Sequence, residues 1–550
     1  MGDQGARGGG EAGGGASHVV AAGILASRSL GLVREVLVAA LAGPGLAADV
    51  LQVALRGPNL LQNLLGEQAL SASFIPIYSR FLEEGREREA RRFAGSVFGL
   101  LGLVAGALAL ILALIAPVWV TIFVPGFRAR PEAFALAVAA MRLLFPMTAV
   151  LVLSAWCLAV LNSHRRFFLP YFAPVLWNLS LVVALGALAV RVVGPPPARA
   201  LVLTVAAAAL VGAVLQLLVQ LPLALRLNGG ALDLRPRLDA PGVRAGLTTF
   251  GPALLGRGSV QLSGFLDVFL ASFLMEGAMA ALGFAQRLYL LPVALFGTAV
   301  AVVELPELSR LGPGAEEGGS AARRVERALR DMGFLTVPSA VGFLTLGWLV
   351  VAAIYQRGAF GGEGTWLVYG VLASYALGMV ASTTSRVLQS SFYAHRDTRT
   401  PARLALLRVG VQGAIGGLAM WWLDRFAVAQ LAGEATGAGL RWGAVGLAAG
   451  SSVAAWVELL ALRRALARAA AARAHAAPAV PWRRLVVFAS IALGASLVAG
   501  ALWLAARRWP PVAAAALALP AFVAAYLGLA GGIGLEESRR FWSRLRSLRS

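Results

Sequence analysis

Long apolar runs recur from one end of this chain to the other and are separated by short polar connections. A run of about 18 or more apolar residues is long enough to cross a bilayer as a helix. Backbone polar groups at membrane depth must be satisfied within the segment, so we expect helices. The pattern predicts roughly fourteen transmembrane helices. The predicted spans are 18–42, 48–76, 93–124, 133–162, 168–193, 199–224, 246–275, 278–308, 332–356, 364–393, 403–425, 441–466, 484–506 and 511–533.

Composition and charge also favour a membrane protein. Of the 550 residues, 59% are hydrophobic and 14% are charged, whereas soluble domains carry about 25% charged residues. The net charge of +21 is also found in nucleic-acid-binding proteins. Here the arginines lie mostly in connections after every second span, which the positive-inside rule explains better. We therefore predict no nucleic-acid partner and both termini in the cytoplasm.

An internal repeat predicts how the spans are organised. The segment from Phe74 to Arg80 recurs as Glu304 to Arg310, and other pairs keep the same offset of 230–231 residues. Six spans per copy give both copies the same orientation, as in transporters with parallel repeats. The predicted fold is an all-α polytopic membrane protein with two six-helix lobes and two extra C-terminal helices. The predicted parts are a disordered tail 1–17, an N-lobe 18–226, a cytoplasmic linker 227–245, a C-lobe 246–468, two extra helices in 469–535 and a basic cytoplasmic tail 536–550.

Charged and polar side chains interrupt the first two spans. The first span carries Arg28, Arg34 and Glu35, and the second carries Asp49, Arg56, Asn63 and Glu67. The four on the second span fall within about 40° of one another and form one polar stripe. A charge at mid-membrane costs about 2.5–3.5 kcal/mol, so these groups should face a cavity or a partner. Pro58, within the stripe, is expected to kink or open the helix.

The second copy repeats this theme. The polar residues inside its spans are Arg257, Gln261, Ser263, Asp267, Gln286, Arg287, Ser382, Arg386 and Gln389. Deep arginines outnumber deep acids, and a guanidinium binds phosphate oxygens two at a time. We therefore predict a cavity for an anionic ligand. Two alternatives stay open: structural ion pairs such as Arg28 with Glu35 or Arg34 with Asp49, and a proton or sodium site at Asp267 that could equally be a partner of Arg257.

Catalytic and metal-binding motifs are not visible in the sequence. The chain has one cysteine, Cys157, and four histidines that are not spaced as a metal pair. We find no nucleophile–base pair and no phosphate-binding loop. The prediction is a transporter, not an enzyme, with no cofactor.

Several segments resemble the MurJ (MviN) family of lipid II flippases of the MOP superfamily. The matching segments are Ala26 to Glu35, Ala48-Asp49, Gly57 to Leu61, Gly66 to Ser71, Phe74 to Pro76, Leu161-Asn162, Phe167 to Pro170, Phe172 to Pro174 with Asn178, Gly251 to Ala253, Tyr355 to Phe360, and Phe392 to Ala394 with Asp397 to Pro401. By position, Arg28, Arg34, Asp49 and Arg287 match residues that the family needs in its cavity. The chain departs from the family pattern at Gln62, Asn63 and Leu290.

The resemblance implies a MATE-like fold and a function in peptidoglycan and cell-wall biogenesis. It implies that lipid II, an undecaprenyl-pyrophosphate-linked precursor, moves from the cytoplasmic to the outer leaflet of the bacterial inner membrane by alternating access. The implied partners are lipid II, the bilayer and other cell-wall synthesis proteins. Two alternatives remain: an exporter of another polyprenyl-linked glycan or small molecule on the same fold, and a non-transporting membrane scaffold. A scaffold would tolerate Arg28→Ala together with Arg287→Ala.

Overall fold

The structure is a computed structural model of the chain. It describes residues 9–66, 70–71, 73–230, 237, 239–246, 264–294, 320–394, 397–429, 439–472 and 478–547. Regular structure in these ranges is helical apart from one isolated β-bridge between Ala427 and Arg441. The chain divides into two compact units, Met1–Phe273 and Leu274–Ser550. The predicted lobe boundaries at 18–226 and 246–468 stay predictions.

The first unit contains eight named α-helices among its described residues. They are α1 (Gly9–Ala42), α2 (Leu46–Leu65), α3 (Ile75–Glu83), α4 (Glu87–Leu114), α5 (Ala116–Phe123), α6 (Pro131–Ser163), α7 (Phe168–Arg191) and α8 (Ala198–Leu227). A 3₁₀ turn at Pro125–Ala129 joins α5 to α6, and residues 264–271 form a further helical segment. Gly85 turns the chain between α3 and α4 with a φ of +72°, a conformation that favours glycine.

The second unit contains nine named helices in the ranges that the structure describes. They are α9 (Ala278–Pro292), α10 (Ser320–Thr345), α11 (Gly347–Tyr355), α12 (Gly362–Ala394), α13 (Arg399–Leu423), α14 (Gly443–Ala472), α15 (Trp482–Ala505), α16 (Pro511–Gly532) and α17 (Glu536–Ser547).

Membrane-spanning capacity agrees with the predicted class. Within the described ranges, nine helices are long and apolar enough to cross a membrane, and a bent pair makes a tenth. α1 and α2 are long enough too, but their polar residues lower the mean hydropathy. The all-α polytopic fold class is therefore confirmed. The count of fourteen stays a prediction, since most of the predicted spans 246–275 and 278–308 lies outside the described residues.

Two predicted spans are broken in the structure. The predicted span 93–124 stops at Leu114 and restarts as α5, and Pro117 restricts the residue before it. The predicted span 332–356 is divided between α10 and α11, whose axes differ by 76°. A Cβ atom at Gly347 would lie 3.1 Å from the Tyr369 ring, so glycine lets α11 start close to α12.

The bounds of several helices repeat at the offset found in the sequence. α6 and α12 are each 33 residues long and start 231 residues apart, at Pro131 and Gly362. α7 and α13 start 231 residues apart, and so do α5 and α11. Within each unit the third helix of the set packs on the other two: α8 on α6 and α7, and α14 on α12 and α13. The internal repeat is thus a repeat of helix length and packing.

Large apolar side chains cover the outside of the long helices. Leu103, Leu110 and Leu114 of α4 are exposed, as are Leu418 and Trp421 of α13. Surfaces of this kind are rare on soluble monomers and are expected where helices face lipid. The chain is therefore a multi-pass membrane protein.

Candidate functional site

α1 lies against α7 through a row of small residues. Gly23, Ser27 and Gly31 are spaced four residues apart and share one helix face. A Cβ atom at Gly23 would lie 2.8 Å from the carbonyl oxygen of Tyr171, and one at Gly31 would lie 3.7 Å from Asn178 Oδ1. Small residues allow this close approach between membrane helices. The contact places the next turn of α1, with Arg34, beside Asn178.

Arg34 is held by a carboxylate, an amide and an indole. Its Nη2 donates to Glu35 Oε1 at 2.6 Å, and its Nη1 donates to Asn178 Oδ1 at 3.2 Å. Its guanidinium carbon lies 5.0 Å from the centre of the Trp177 ring. A guanidinium has five N–H donors, so these contacts fix its position without using all of them. Arg34 keeps donors for a further acceptor.

Asn178 connects α1 and α7 in both directions. Its amide nitrogen donates to Ser27 Oγ at 3.2 Å and to the Ser27 carbonyl at 3.3 Å. The same nitrogen donates to the Pro174 carbonyl within α7 at 3.3 Å. Ser27, Arg34, Glu35, Trp177 and Asn178 therefore form one polar cluster, which we call the α1–α7 cluster.

Two residues of the first span differ in exposure although they share a helix face. Glu35 is 8% exposed, whereas Arg28 is exposed, as is Asn63 of α2. Arg28 forms no ion pair within the described part of the chain. Of the two pairings considered from the sequence, neither describes Arg34, whose ion pair is with its chain neighbour Glu35. Arg28 is thus the more accessible of the two α1 arginines.

α2 carries the next two predicted site residues. Asp49 is 1% exposed and lies in the first turn of the helix, where the helix dipole favours a negative charge. Arg56 is half-buried, and its Nη1 donates to the carbonyl oxygen of Gly264 at 3.3 Å. α2 runs without interruption through Pro58. Glu67, the last residue of the predicted stripe, lies outside the described residues.

The helical segment 264–271 packs inside the first unit. The Phe265 ring lies 6.1 Å from Trp119 and 5.1 Å from Phe123, both on α5. At its far end, Ser272 accepts a hydrogen bond from the Gly126 backbone and, through its carbonyl, one from Arg130. Asp267 is half-buried here and has a polar partner. Arg257 and Gln261 fall in the stretch that the structure does not describe.

The second unit holds the other predicted arginines. Arg287 on α9 is half-buried, and its guanidinium carbon lies 5.9 Å from the centre of the Phe284 ring. Arg386 on α12 is exposed. Arg34 and Glu35 are therefore brought into direct contact, whereas Arg56, Arg287 and Arg386 lie in separate surroundings. A shared cavity for Arg28, Arg34, Asp49, Arg56, Arg257 and Arg287 stays a prediction.

A buried ion pair in the second unit was missed from the sequence. Arg408 on α13 donates through Nη1 to Glu458 Oε2 on α14 at 2.9 Å, and the Glu458 side chain is 2% exposed. Gln389 of α12 donates to Glu458 Oε1 at 3.0 Å, and Arg408 Nη2 donates to Ser382 Oγ at 3.4 Å. We call these four residues the α12–α14 cluster. It takes up Ser382 and Gln389 of the predicted polar row and leaves Arg386 outside.

The signal for this pair was present in the sequence. Arg408 and Glu458 each lie inside a predicted apolar span, 403–425 and 441–466. A charge inside such a span is a reason to look for a partner. The sequence survey concentrated on the first two spans of each copy, which is why the pair was overlooked.

A second polar junction joins the ends of α3, α6 and α8. Tyr78 is 1% exposed, and its hydroxyl lies 3.1 Å from His164 Nε2 and 3.4 Å from Asn228 Oδ1. Burial raises the pKa of Tyr78 to about 12. Burial lowers the pKa of His164, and the charge of Arg166 lowers it further. The junction therefore keeps a neutral phenol and favours a neutral imidazole.

Sequence comparison identifies relatives over most of the chain. The family profile described as "Lipid II flippase MurJ" matches residues 38–517. A protein of Rhizobium meliloti named "Probable lipid II flippase MurJ" is 32% identical over 525 residues, covering 93% of this chain and 92% of that protein. The "Lipid II flippase MurJ" of Burkholderia cenocepacia is 30% identical over 386 residues, covering 70% and 73%.

Structure comparison finds the same fold. A solved structure titled "Lipid II flippase MurJ, inward closed conformation" matches with a TM-score of 0.70 and 20% identity, covering 94% of this chain and 99% of that one. A multidrug resistance MATE family transporter of the MOP superfamily, in an inward-facing conformation, matches with a TM-score of 0.57 and 18% identity, covering 80% and 95%. At these identities the likenesses show the fold alone, and they confirm the predicted MOP-type, MATE-like architecture.

Proposed function

This chain belongs to the lipid II flippase MurJ family, and from that premise we propose that it carries lipid II from the cytoplasmic to the outer leaflet of the bacterial inner membrane. Flippases are transporters, so the chain is assigned a transport activity and no catalytic residue. The relatives that carry this name cover nearly the full length of the chain, which supports the same activity here. The termini are proposed to face the cytoplasm, as the arginine distribution predicts.

The observation that carries the proposal is the state of the α1 arginines. Arg34 is fixed by Glu35, Asn178 and the Trp177 ring, while Arg28, two turns earlier on the same helix, is exposed and unpaired within the described residues. A fixed guanidinium beside an accessible one suits a ligand with two adjacent phosphates. We propose that Arg28 contacts the pyrophosphate first and that Arg34 receives it with its remaining donors.

The other predicted residues are assigned supporting roles. Asp49, Arg56, Arg257 and Arg287 are proposed to complete the binding site, and Glu35, Asn63, Glu67, Gln261 and Arg386 to line the polar path. Asp267 is proposed as the ion-coupling residue, because it is an acid in an otherwise apolar stretch. Alternating access is the proposed mechanism, in which the two copies of the repeat rock about the site. Other cell-wall synthesis proteins are proposed as partners.

Genetic replacement tests the proposed activity. The chain is expressed in a bacterium whose own lipid II flippase is depleted, and lipid II in the outer leaflet is measured directly. We expect growth and outer-leaflet lipid II to be restored. Normal membrane insertion with no lipid II reaching the outer leaflet would show that the assignment is wrong.

Substitutions test the assigned roles. We expect Arg28→Ala with Arg287→Ala to abolish transport, because both proposed phosphate contacts are lost, while each single Arg→Lys variant keeps part of it. Arg80→Ala is the matched control: Arg80 is exposed, paired with Glu84 on the surface, and distant in sequence from the proposed site. Full activity of the double variant would favour a non-transporting scaffold.

A further inference from the structure

The last helix lies directly beyond a membrane span. α16 ends at Gly532 and α17 starts at Glu536. Gly534 makes the turn with a φ of +76°, and Leu535 is 5% exposed and packs in the core of the second unit. Extended chain covers about 3.5 Å per residue, so α17 begins within about 14 Å of the end of α16. The start of α17 is therefore close to the bilayer surface.

One face of α17 is bound to the rest of the second unit. Arg540 Nη1 donates to Asp331 Oδ1 on α10 at 2.8 Å, and the Phe541 ring lies 6.4 Å from that of Phe334. Glu537 and Ser538 on this face are 2% and 1% exposed. The helix is consequently held in a fixed orientation with its opposite face free.

The free face combines an arginine with a tryptophan. Arg539, Trp542 and Ser543 are spaced three and four residues apart, so they share one side of the helix. Arg539 and Ser543 are exposed, and Trp542 is 46% exposed. Arg539 takes part in no ion pair among the described residues. An exposed guanidinium and an exposed indole on one face are typical of helices at a membrane surface.

Charge compensation distinguishes this surface from the polar helices of the first unit. From Arg80 to Arg92 there are five arginines and four glutamates, and ion pairs join Arg80 to Glu84 and Arg91 to Glu87. From Glu536 to the end of the chain there are five arginines and only two glutamates. The positive-inside rule would be satisfied by either surface. Only the α17 surface keeps uncompensated positive charge, which suits an anionic ligand.

We propose that the Arg539–Trp542 face of α17 docks on the phosphate headgroups of anionic phospholipids in the leaflet where α16 ends. The guanidinium of Arg539 binds the lipid phosphate, and the indole of Trp542 inserts at the level of the headgroups. Basic segments next to a transmembrane helix are attracted to anionic leaflets, and each arginine near the surface changes the affinity about fivefold. The proposal is independent of the transported substrate.

A fluorescent label on Ser543 tests the docking. Ser543→Cys is labelled with a polarity-sensitive fluorophore in the full chain, and the native Cys157, which is buried, serves as the unlabelled background. The protein is placed in nanodiscs with increasing fractions of phosphatidylglycerol in phosphatidylcholine. We expect the emission to shift to the blue as the anionic fraction rises, and the shift to weaken at high salt.

Variants at the proposed contacts sharpen the test. We expect Arg539→Gln to raise the phosphatidylglycerol fraction at half-maximal shift about fivefold, Trp542→Ala to reduce the shift, and Arg539→Lys to stay close to the parent. Arg88→Gln is the matched control, since Arg88 is an exposed arginine on the compensated surface and should leave the shift unchanged. Circular dichroism and size-exclusion elution check that each variant is folded.

Three results would overturn the proposal. One is the same emission in both lipids, and another is equal behaviour of Arg539→Gln and Arg88→Gln. The third is a larger shift with soluble polyglutamate or RNA in phosphatidylcholine nanodiscs than with phosphatidylglycerol, which would identify a soluble polyanion as the occupant.

Discussion

The bundle of α6, α7 and α8 in the first unit and the bundle of α12, α13 and α14 in the second share helix starts and packing but differ in their buried polar contacts. In the first, Ser154 Oγ accepts hydrogen bonds from the amides of Gln216 and Gln220, at 3.1 and 2.8 Å. In the second, the charged pair Arg408–Glu458 takes that place. One bundle is joined by neutral groups and the other by an ion pair.

The difference separates two kinds of information in the repeat. Helix length and crossing follow from the apolar pattern and from small residues at the contacts, and these are kept at the 231-residue offset. The polar contacts inside each bundle are not tied to that pattern. A neutral hydrogen bond between membrane helices contributes about 0.6–2 kcal/mol, whereas leaving one member of a buried ion pair costs more. The second bundle should therefore be much more sensitive to loss of a partner.

The largest effect is expected from Arg408→Leu. It leaves the Glu458 carboxylate, which is 2% exposed, without its cation. We expect the free energy of unfolding to fall by about 3–5 kcal/mol. The measurement is an unfolding titration of the purified protein in mixed micelles, followed by helical circular dichroism.

Two further variants complete this test. Arg408→Leu with Glu458→Leu should recover most of the lost stability, because the isolated charge is removed. Ser154→Ala in the first bundle should cost only about 0.6–2 kcal/mol. Equal losses for Arg408→Leu and Ser154→Ala would remove the distinction between the two bundles.

An intermediate effect is expected at the glycine crossings, where the two bundles should behave alike. A Cβ atom at Gly450 of α14 would collide with Gly416 of α13, and one at Gly212 of α8 would collide with Ser180 of α7. We expect Gly450→Ala and Gly212→Ala each to lower the free energy of unfolding by about 1–3 kcal/mol. Gly417→Ala is the control, because a Cβ atom there meets no atom within 4 Å. A neutral result at Gly450 would mean that the crossing adjusts.

The smallest effect is expected at the end of α6, where the first unit carries His164. Its pKa lies below the ordinary value of about 6.5, so the unfolded chain binds a proton first as the pH falls. Stability should therefore decrease from about pH 7 to 5.5, by less than about 1.4 kcal/mol per pH unit. Thermal unfolding of the parent and of His164→Gln measures this, and the variant should show a flatter profile. His395→Gln, at the repeat-related position, asks whether the second copy responds in the same way.

The sequence predicted the fold class and the repeat well, because both depend on apolar length and spacing. The offset deduced from short motifs around Pro76 and Pro306 reappears in the starts of α6 and α12. Breaks were harder to predict, since the helix interruption at Leu346 depends on how Gly347 approaches Tyr369 across two helices. Such a contact has no signature in one segment.

The candidate site was predicted by residue type and less well by partner. A helical wheel places Arg34 and Glu35 about 100° apart, yet the long arginine side chain reaches its neighbour. Asn178, which fixes Arg34, belongs to α7, and one sequence does not state that α7 lies against α1. For the same reason, the partnership of Arg408 with Glu458, fifty residues apart, required the folded chain.

The interruption at Leu346 has a mechanical consequence. A continuous helix carries a push along its axis because its hydrogen-bond ladder resists compression and bending. α10 and α11 meet at 76°, so a displacement applied at Ser320 is not delivered to Tyr355 along one straight line. The segment acts as two short levers joined at an elbow, and movement at one membrane surface can leave the other surface at rest.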